Sequence, residues 1–297
     1  MTKYLGVIGN RDHIKIGGEK RPYWEFLDSQ PCGWLTSLVY ARQDLPDTDF
    51  LVVDCGAWSY RLDEVPAIDG ESVWQRYARF PEKSIVVAPD HMLIPGVDAD
   101  ARKEWNAAQA KLFLKHHDKR FVPMAVVHGR SIDERVESAL FLAKLGYEHI
   151  AIGGIAAQAS RKALAMAAVA AVRSVTKGRW LHVLGLSSPE YLRQMIEIGV
   201  DSCDGSSHFK QAFTGGAYFT QEGTRLVKHQ AGRPGEPVNI VADPCDCLAC
   251  RRLSNEGIDT RSYGSNEHNM GRAAHNQNML MRAHAVVRSG DDNRRLL

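Results

Sequence analysis

No apolar run in the chain is long enough to cross a bilayer: the longest, Ala163 to Val172, falls well short of the ~20 residues a spanning helix needs. The opening residues Met-Thr-Lys-Tyr have none of the apolar core of a secretory leader, so a cytoplasmic protein with no membrane partner is expected. Cysteine is scarce too, six in 297 residues, and without a leader these do not make the disulfide framework of small exported domains. Charge of either sign is lacking in excess. The 37 Lys and Arg against 35 Asp and Glu leave a formal net charge of +2, which neither demands nor excludes a polyanionic partner. Basic residues do gather locally at Arg251-Arg252, Arg261, Arg272, Arg282, Arg288 and Arg294-Arg295, either a phosphate-facing surface or a solvated helix face. No Gly-x-Gly-x-x-Gly follows the first strand candidate, so a dinucleotide-binding fold has no support. Internal repeats and low-complexity segments are missing as well.

What is present is alternation. Short apolar runs at Tyr4 to Ile8, Phe50 to Asp54, Ser84 to Pro89, Val122 to His128, His149 to Gly153, Leu181 to Leu186 and Val200 to Asp204 read as strands. Helical patterns fall between them, at Ala99 to His116, Ile132 to Leu145, Ser160 to Thr176 and Pro189 to Ile198. Val- and Ile-rich strands with helices between them imply parallel βαβ units. Seven or so such units favour an α/β protein with a (β/α)8 TIM-like barrel over an open sheet. The stretch from Thr214 to Pro244, with its Gly and Pro, reads as an irregular connection.

Three thiols, Cys245, Cys247 and Cys250, lie within six residues, and His275 sits in the periodic run from Met270 to Val287, which reads as a helix. Three thiolates and one imidazole make a closed tetrahedral set for one structural Zn2+ per chain, with no open position for substrate. His268 and His284 compete with His275 on local grounds. Cys32, Cys55 and Cys203 read as buried thiols packing as small hydrophobes.

A barrel gathers its chemistry at the C-terminal rim of its strands. Asp54, Asp90, His128, the pair Gly153-Gly154 and Asp204 each close an apolar run. Taken alone, any one of them is a helix cap or turn residue. Arriving together, they suggest a paired-carboxylate reaction at a glycosidic centre, one group attacking an anomeric carbon and another handling the leaving-group proton.

The ordered set Asp54-Cys55-Gly56-Ala57-Trp58, Asp90, Val127-His128-Gly129, Gly153-Gly154-Ile155-Ala156, Gly199 to Asp204, Gln211-Ala212-Phe213-Thr214 and Cys245-x-Cys247-x-x-Cys250 with His275-Asn276 resembles the guanine transglycosylase superfamily from about residue 50 to 285. The resemblance implies a single barrel domain over residues 1–297 with a zinc-binding subdomain at about 240–285. It also implies exchange of guanine in a polynucleotide for a free 7-deazaguanine base. By that resemblance Asp204 is the nucleophile that holds the sugar as a covalent ester, and Asp54 is the general acid and base. Asp90 would accept hydrogen bonds from the purine's amino and ring N–H edge. The Gly154 N–H and the Ile155 carbonyl, beside Gly153, would read the opposite edge. His128 stands where the tRNA enzymes have a glutamine, and Trp58 where they have an aromatic residue, either a wall beside the base or an ordinary core side chain.

Where the bacterial tRNA enzymes follow their nucleophile with a basic, anticodon-gripping loop, Asp204 is followed by Gly205-Ser206-Ser207-His208-Phe209-Lys210 and then directly by Gln211. That shortening favours the branch acting on DNA, with 7-cyano-7-deazaguanine or a relative as the entering base, and with tRNA as the alternative polymer. A phage-encoded member of that branch would work in the host cytoplasm. A non-catalytic zinc-bearing partner subunit and a zinc-bearing nucleic-acid binding module are the rival readings. The retained Asp54 and Asp204 speak against the first, and the barrel's worth of chain against the second. A homodimer or a partner protein stays open.

Overall fold

The computed structural model describes residues 1–10, 12–40, 44–158, 161–230 and 245–290. In chain order the strands are β1 (Lys3–Val7), β2 (His13–Ile16), β3 (Glu19–Pro22), β4 (Trp34–Ser37), β5 (Leu51–Asp54), β6 (Ile85–Val87), β7 (Val122–Val127), β8 (His149–Ile152), β9 (Trp180–Val183), β10 (Ser202–Asp204), β11 (Ala217–Glu222) and β12 (Arg225–Gln230). The helices are α1 (Val73–Tyr77), α2 (Ala99–Lys115), α3 (Ile132–Leu145), α4 (Lys162–Val175), α5 (Pro189–Ile198), α6 (Ser207–Phe213), α7 (Leu248–Asn255) and α8 (Asn266–Ser289). The chain forms two compact units, the first from Met1–Asn10, Cys32–Leu186 and Gln194–Asp204, the second within Arg11–Pro31, Ser187–Arg193 and Gly205–Leu297.

In the first unit eight parallel strands close a barrel in the order β1-β10-β9-β8-β7-β6-β5-β4. The (β/α)8 expectation holds. Val52, Val53, Val86, Val87, Val127, Ile150 and Ile152 are fully buried, as β-branched side chains on strands covered on both faces should be. The helices begin and end on sequence signals. Asp98 caps α2 by accepting from the amides of Asp100 and Ala101, and Ser131 caps α3 by accepting from Glu134. Gly146, at φ +102°, ends α3 in the left-handed conformation.

The second unit is built on α8. That helix is buried on most of its faces, and its buried polar residues are bonded rather than orphaned. Asn276 accepts from the amide of Phe219 at 2.9 Å and donates to the carbonyl of Ala217 at 2.8 Å. Asn278 accepts from the amide of Asp28 and donates to the carbonyl of Phe26. Gln277 Oε1 accepts from the Tyr23 hydroxyl.

Several expectations need correction. The barrel strand Trp34–Ser37 gave no sequence signal, because half of its four residues are polar, although all four are buried. The connection expected to be irregular from Thr214 contains a hairpin, β11 with β12, paired from Ala217↔Gln230 to Glu222↔Arg225; residues 231–244 of that stretch lie outside the described residues. A second hairpin, β2 with β3, turns on Gly17 and Gly18 at φ +58° and +94°, the two-residue Gly-Gly signal of a tight hairpin. Arg272 is no surface cation: it is fully buried and donates to the carbonyls of Ala212, Thr260 and Ser262. Arg294 and Arg295 lie outside the described residues. Cys32 is exposed rather than buried, and Trp58, at 59% exposure, is not a core side chain.

Candidate active site and metal centre

Asp54 and Asp204 are the last residues of β5 and β10, at the C-terminal rim of the barrel. Asp54 is half-buried and accepts a hydrogen bond from the Gly56 amide at 2.9 Å. Its carboxyl is pushed up to about 7, first by burial and then by the charge of Asp90, with Asp204 adding to the rise and the amides of Gly56 and Cys55 working against it. A carboxyl held there has both its acid and its base form available near neutral pH. Gly56 makes the turn that aims its N–H: its φ is +95°, and a Cβ there would come within 2.4 Å of Val39 Cγ1.

Asp90 is buried just past β6. Its Oδ2 lies 2.6 Å from His128 Nε2 and its Oδ1 accepts from the Cys55 thiol at 2.9 Å. Because a carboxylate has only acceptors to offer, His128 carries a proton on Nε2. Burial and the charges of Asp90 and Asp54 push the Cys55 thiol well above its ordinary range, so it stays a donor. Each Asp90 oxygen retains a second lone pair.

Gly153 and Gly154 follow β8. A Cβ on Gly153 would sit 2.7 Å from His128 Cε1, so the imidazole occupies the space a side chain would need. The Gly153 amide already donates to the Val127 carbonyl at 3.0 Å, and its carbonyl accepts from Arg135 at 2.8 Å. Both of its backbone groups are used within the fold; Gly154, at φ +67°, and the buried Ile155, the first residue of a 3-10 helical turn to Gln158, follow it. Trp58 lies outside the core with the Arg61 guanidinium 4.2 Å from its ring centroid.

Asp204 is 6% exposed, and its Oδ1 lies 3.0 Å from the Gly185 amide and 3.1 Å from His182 Nε2. Residue-level reading missed His182, Cys55 and Arg135 as parts of the site. His182 had a signal: it interrupts the apolar run Trp180-Leu181-His182-Val183-Leu184, and a lone polar residue inside a barrel strand either has a buried partner or is a costly error. Arg135 had none, since it sits on the helical periodicity of α3 like any stem of a long side chain.

In the second unit Cys245, Cys247, Cys250 and His275 place their donor atoms within 4.8 Å of one another. The three sulfurs stand 3.4 to 3.5 Å from His275 Nδ1. A tetrahedral ion with Zn–S of ~2.3 Å and Zn–N of ~2.05 Å requires an S···N edge of about 3.5 Å, so the donor set fits such an ion. His275 Nε2 lies 2.7 Å from the Phe219 carbonyl, which turns Nδ1 toward the thiolates, and Tyr218 stacks on the ring at 3.8 Å. The amides of Cys247 and Cys250 point at the sulfurs of Cys245 and Cys247. Of the competing histidines, His284 bonds instead to the Ser187 carbonyl, and the His268 amide is the one Ser265 caps at the start of α8. The cluster clips the Cys245–Cys247 loop to α8.

A closed (β/α)8 barrel with carboxylates at strand ends, together with a Cys3His cluster whose donor set fits a metal ion, defines the class as a TIM-type barrel protein. Residues 99–290 match the family described as queuine tRNA-ribosyltransferase, and the chain belongs to that family. It is 28% identical over 197 residues to a DNA-guanine transglycosylase of Salmonella montevideo, covering 60% of this chain and 46% of that protein. It is 30% identical over 141 residues to a queuine tRNA-ribosyltransferase of Gluconacetobacter diazotrophicus, 45% of this chain and 36% of that one. A queuine tRNA-ribosyltransferase of Thermotoga maritima is 27% identical over 182 residues, 59% and 46% of the respective chains. The matched stretches span less than half the length of these curated relatives.

Proposed function

We propose that this chain is a guanine transglycosylase that exchanges guanine in DNA for a free 7-deazaguanine base, 7-cyano-7-deazaguanine or a relative, through a covalent aspartyl-glycosyl intermediate. Residues 1–297 act as one transglycosylase domain with a zinc-binding subdomain at about 240–285. The observation that carries the reading is the unlike pair of rim carboxylates: Asp54 held up to about 7 by burial and like charge, Asp204 held by two hydrogen-bond donors on one oxygen.

In this reading Asp204 attacks C1′ of the target nucleotide, and the C1′–N9 bond breaks with its electron pair leaving on the purine. Asp54, protonated, supplies the proton that makes the departing guanine neutral. The carboxylate of Asp54 then takes the N9 proton of the entering base, N9 attacks C1′, and the ester bond breaks to return Asp204 as a carboxylate. One base with its proton enters and one leaves, so no other reactant is consumed. Asp90 would accept from the purine's amino and ring N–H edge, braced by His128 and Cys55, while Gly154 and Ile155 present backbone groups beyond the Gly153 strut. Zinc, bound by Cys245, Cys247, Cys250 and His275, would supply only a structural clip. A duplex hides C1′ and the base, so the target nucleotide must be extruded or caught open.

DNA rather than tRNA is supported by the short passage from Asp204 into α6, where the tRNA enzymes carry a basic loop, and by the similarity to a protein named DNA-guanine transglycosylase. The relatives named queuine tRNA-ribosyltransferase make tRNA the second reading. Incubation with labelled guanine and either guanine-containing DNA or tRNA separates the two. Label is expected in DNA, and Asp204→Ala is expected to bind DNA without incorporating label. Label in tRNA alone moves the substrate to the second reading, and normal exchange by Asp204→Ala removes the nucleophile.

A further inference from the structure

His182 belongs to a chain of hydrogen bonds that ends on Asp204. The Trp180 indole N–H donates to Ser202 Oγ at 2.9 Å, and Ser202 Oγ lies 2.8 Å from His182 Nδ1. An indole nitrogen only donates, so the serine oxygen is the acceptor there and its own proton is free for Nδ1. On the other side of the ring Nε2 lies 3.1 Å from Asp204 Oδ1, and a carboxylate oxygen only accepts, so Nε2 is the nitrogen that donates there. Strand register sets the geometry: Ser202 is paired with His182 across β10 and β9, and Ser202 and Asp204, two residues apart, share one face of their strand. Ser202 and His182 are fully buried, so water does not compete for these bonds.

We propose that His182 is a positioning residue for Asp204, acting with the Gly185 amide to hold Oδ1 so that Oδ2 is the oxygen that attacks C1′. This rests on reading Asp204 as the nucleophile. Attack by an Oδ2 electron pair forms the C1′–Oδ2 bond as C1′–N9 breaks toward the purine. Oδ1 becomes the ester carbonyl oxygen, still facing two N–H donors. When the entering base displaces the ester, the C1′–Oδ2 electron pair returns to the carboxylate, and the negative charge reappears where His182 and Gly185 already point. Donors placed where charge develops speed that second step more than the first.

The test compares His182→Gln, whose amide N–H reaches toward the same oxygen, with His182→Leu, which fills the space without a donor. Labelled guanine exchange on DNA and tRNA, and denaturing gels for the protein–nucleic acid adduct, give the readouts. Leucine is expected to lower kcat about 100-fold with KM unchanged and to accumulate adduct, and glutamine to restore most of the rate. Nitrogen-15 NMR of the wild-type chain should show His182 protonated on Nε2, with that resonance shifting in Asp204→Asn. Equal rates for the two variants, a loss confined to KM, failure of adduct to accumulate, or an Nδ1–H tautomer each overturn the role of His182. A wild-type chain that exchanges no base on either polymer instead overturns the transglycosylase reading and this one with it.

Discussion

Asp54 carries a cost that its own chemistry explains. Its carboxyl titrates near 7 in the fold against an ordinary 3.8, so between about pH 4 and 7 the folded chain binds a proton that the unfolded chain releases. Folding stability contributed by this group therefore falls as pH rises through that window. Replacing Asp54 with Asn removes the ionisation and keeps the shape. The variant should be more stable than wild type at pH 8 by roughly 2 to 4 kcal/mol, the lower end because solvent still reaches the side chain, and indistinguishable from it near pH 4. Thermal unfolding at the two pH values checks this, and a variant less stable at pH 8 would show that the carboxylate is held by favourable partners instead. Base exchange by the same variant should fall by about 10²- to 10⁴-fold, the usual contribution of a general acid and base.

At the scale of elements, the barrel was legible because parallel strands buried on both faces are apolar runs, and seven of the eight stand out as such. Trp34–Ser37 did not, since Thr36 and Ser37 are polar yet buried, Thr36 bonding to the Ile8 carbonyl, and such partners are invisible along the chain. The rim aspartates were legible as strand endings; their environments were not, because Cys55, just past β5, reaches Asp90 and His182, on β9, reaches Asp204 through space, and Arg135 of α3 reaches the Gly153 carbonyl in the same way. The three thiols were legible from their spacing; which histidine stands beside them was not, and it is His275 on α8 that turns Nδ1 toward the three sulfurs. Elemental analysis should find one zinc per chain, and stripping it with a chelator, or replacing Cys250 with Ser, should lower the melting temperature markedly; a chain without zinc whose melting is unmoved by chelator refutes the clip. Asn276 gives an independent measure of the same unit. Asn276→Leu leaves the Phe219 amide and Ala217 carbonyl without their buried partner, at about 1–3 kcal/mol for each group, which urea unfolding would register.

For the molecule as a whole, a net charge of +2 means that any grip on a polyanion comes from where cations sit rather than how many there are. Arg272 is buried among carbonyls, and Arg282 is spent on Asp28 and Asp246, so neither faces phosphate. Arg251 and Arg261 differ. They line a hollow of about 590 Å3 together with Asn255, Asp259 and Thr260, beside the metal ligands Cys245 and Cys250, and Arg251 is exposed. Each phosphate neutralised on duplex DNA adds about 0.9 to the slope of log affinity against log salt. Arg251→Ala with Arg261→Ala should therefore weaken DNA binding at low salt and flatten that slope by about 2, with kcat at saturating DNA unchanged, because neither residue touches the reacting atoms. Filter binding across a salt series gives the slope. Identical slopes for wild type and the double variant would move the phosphate contacts elsewhere on the chain, and a wild-type slope near zero would remove the polyanion from the proposal altogether.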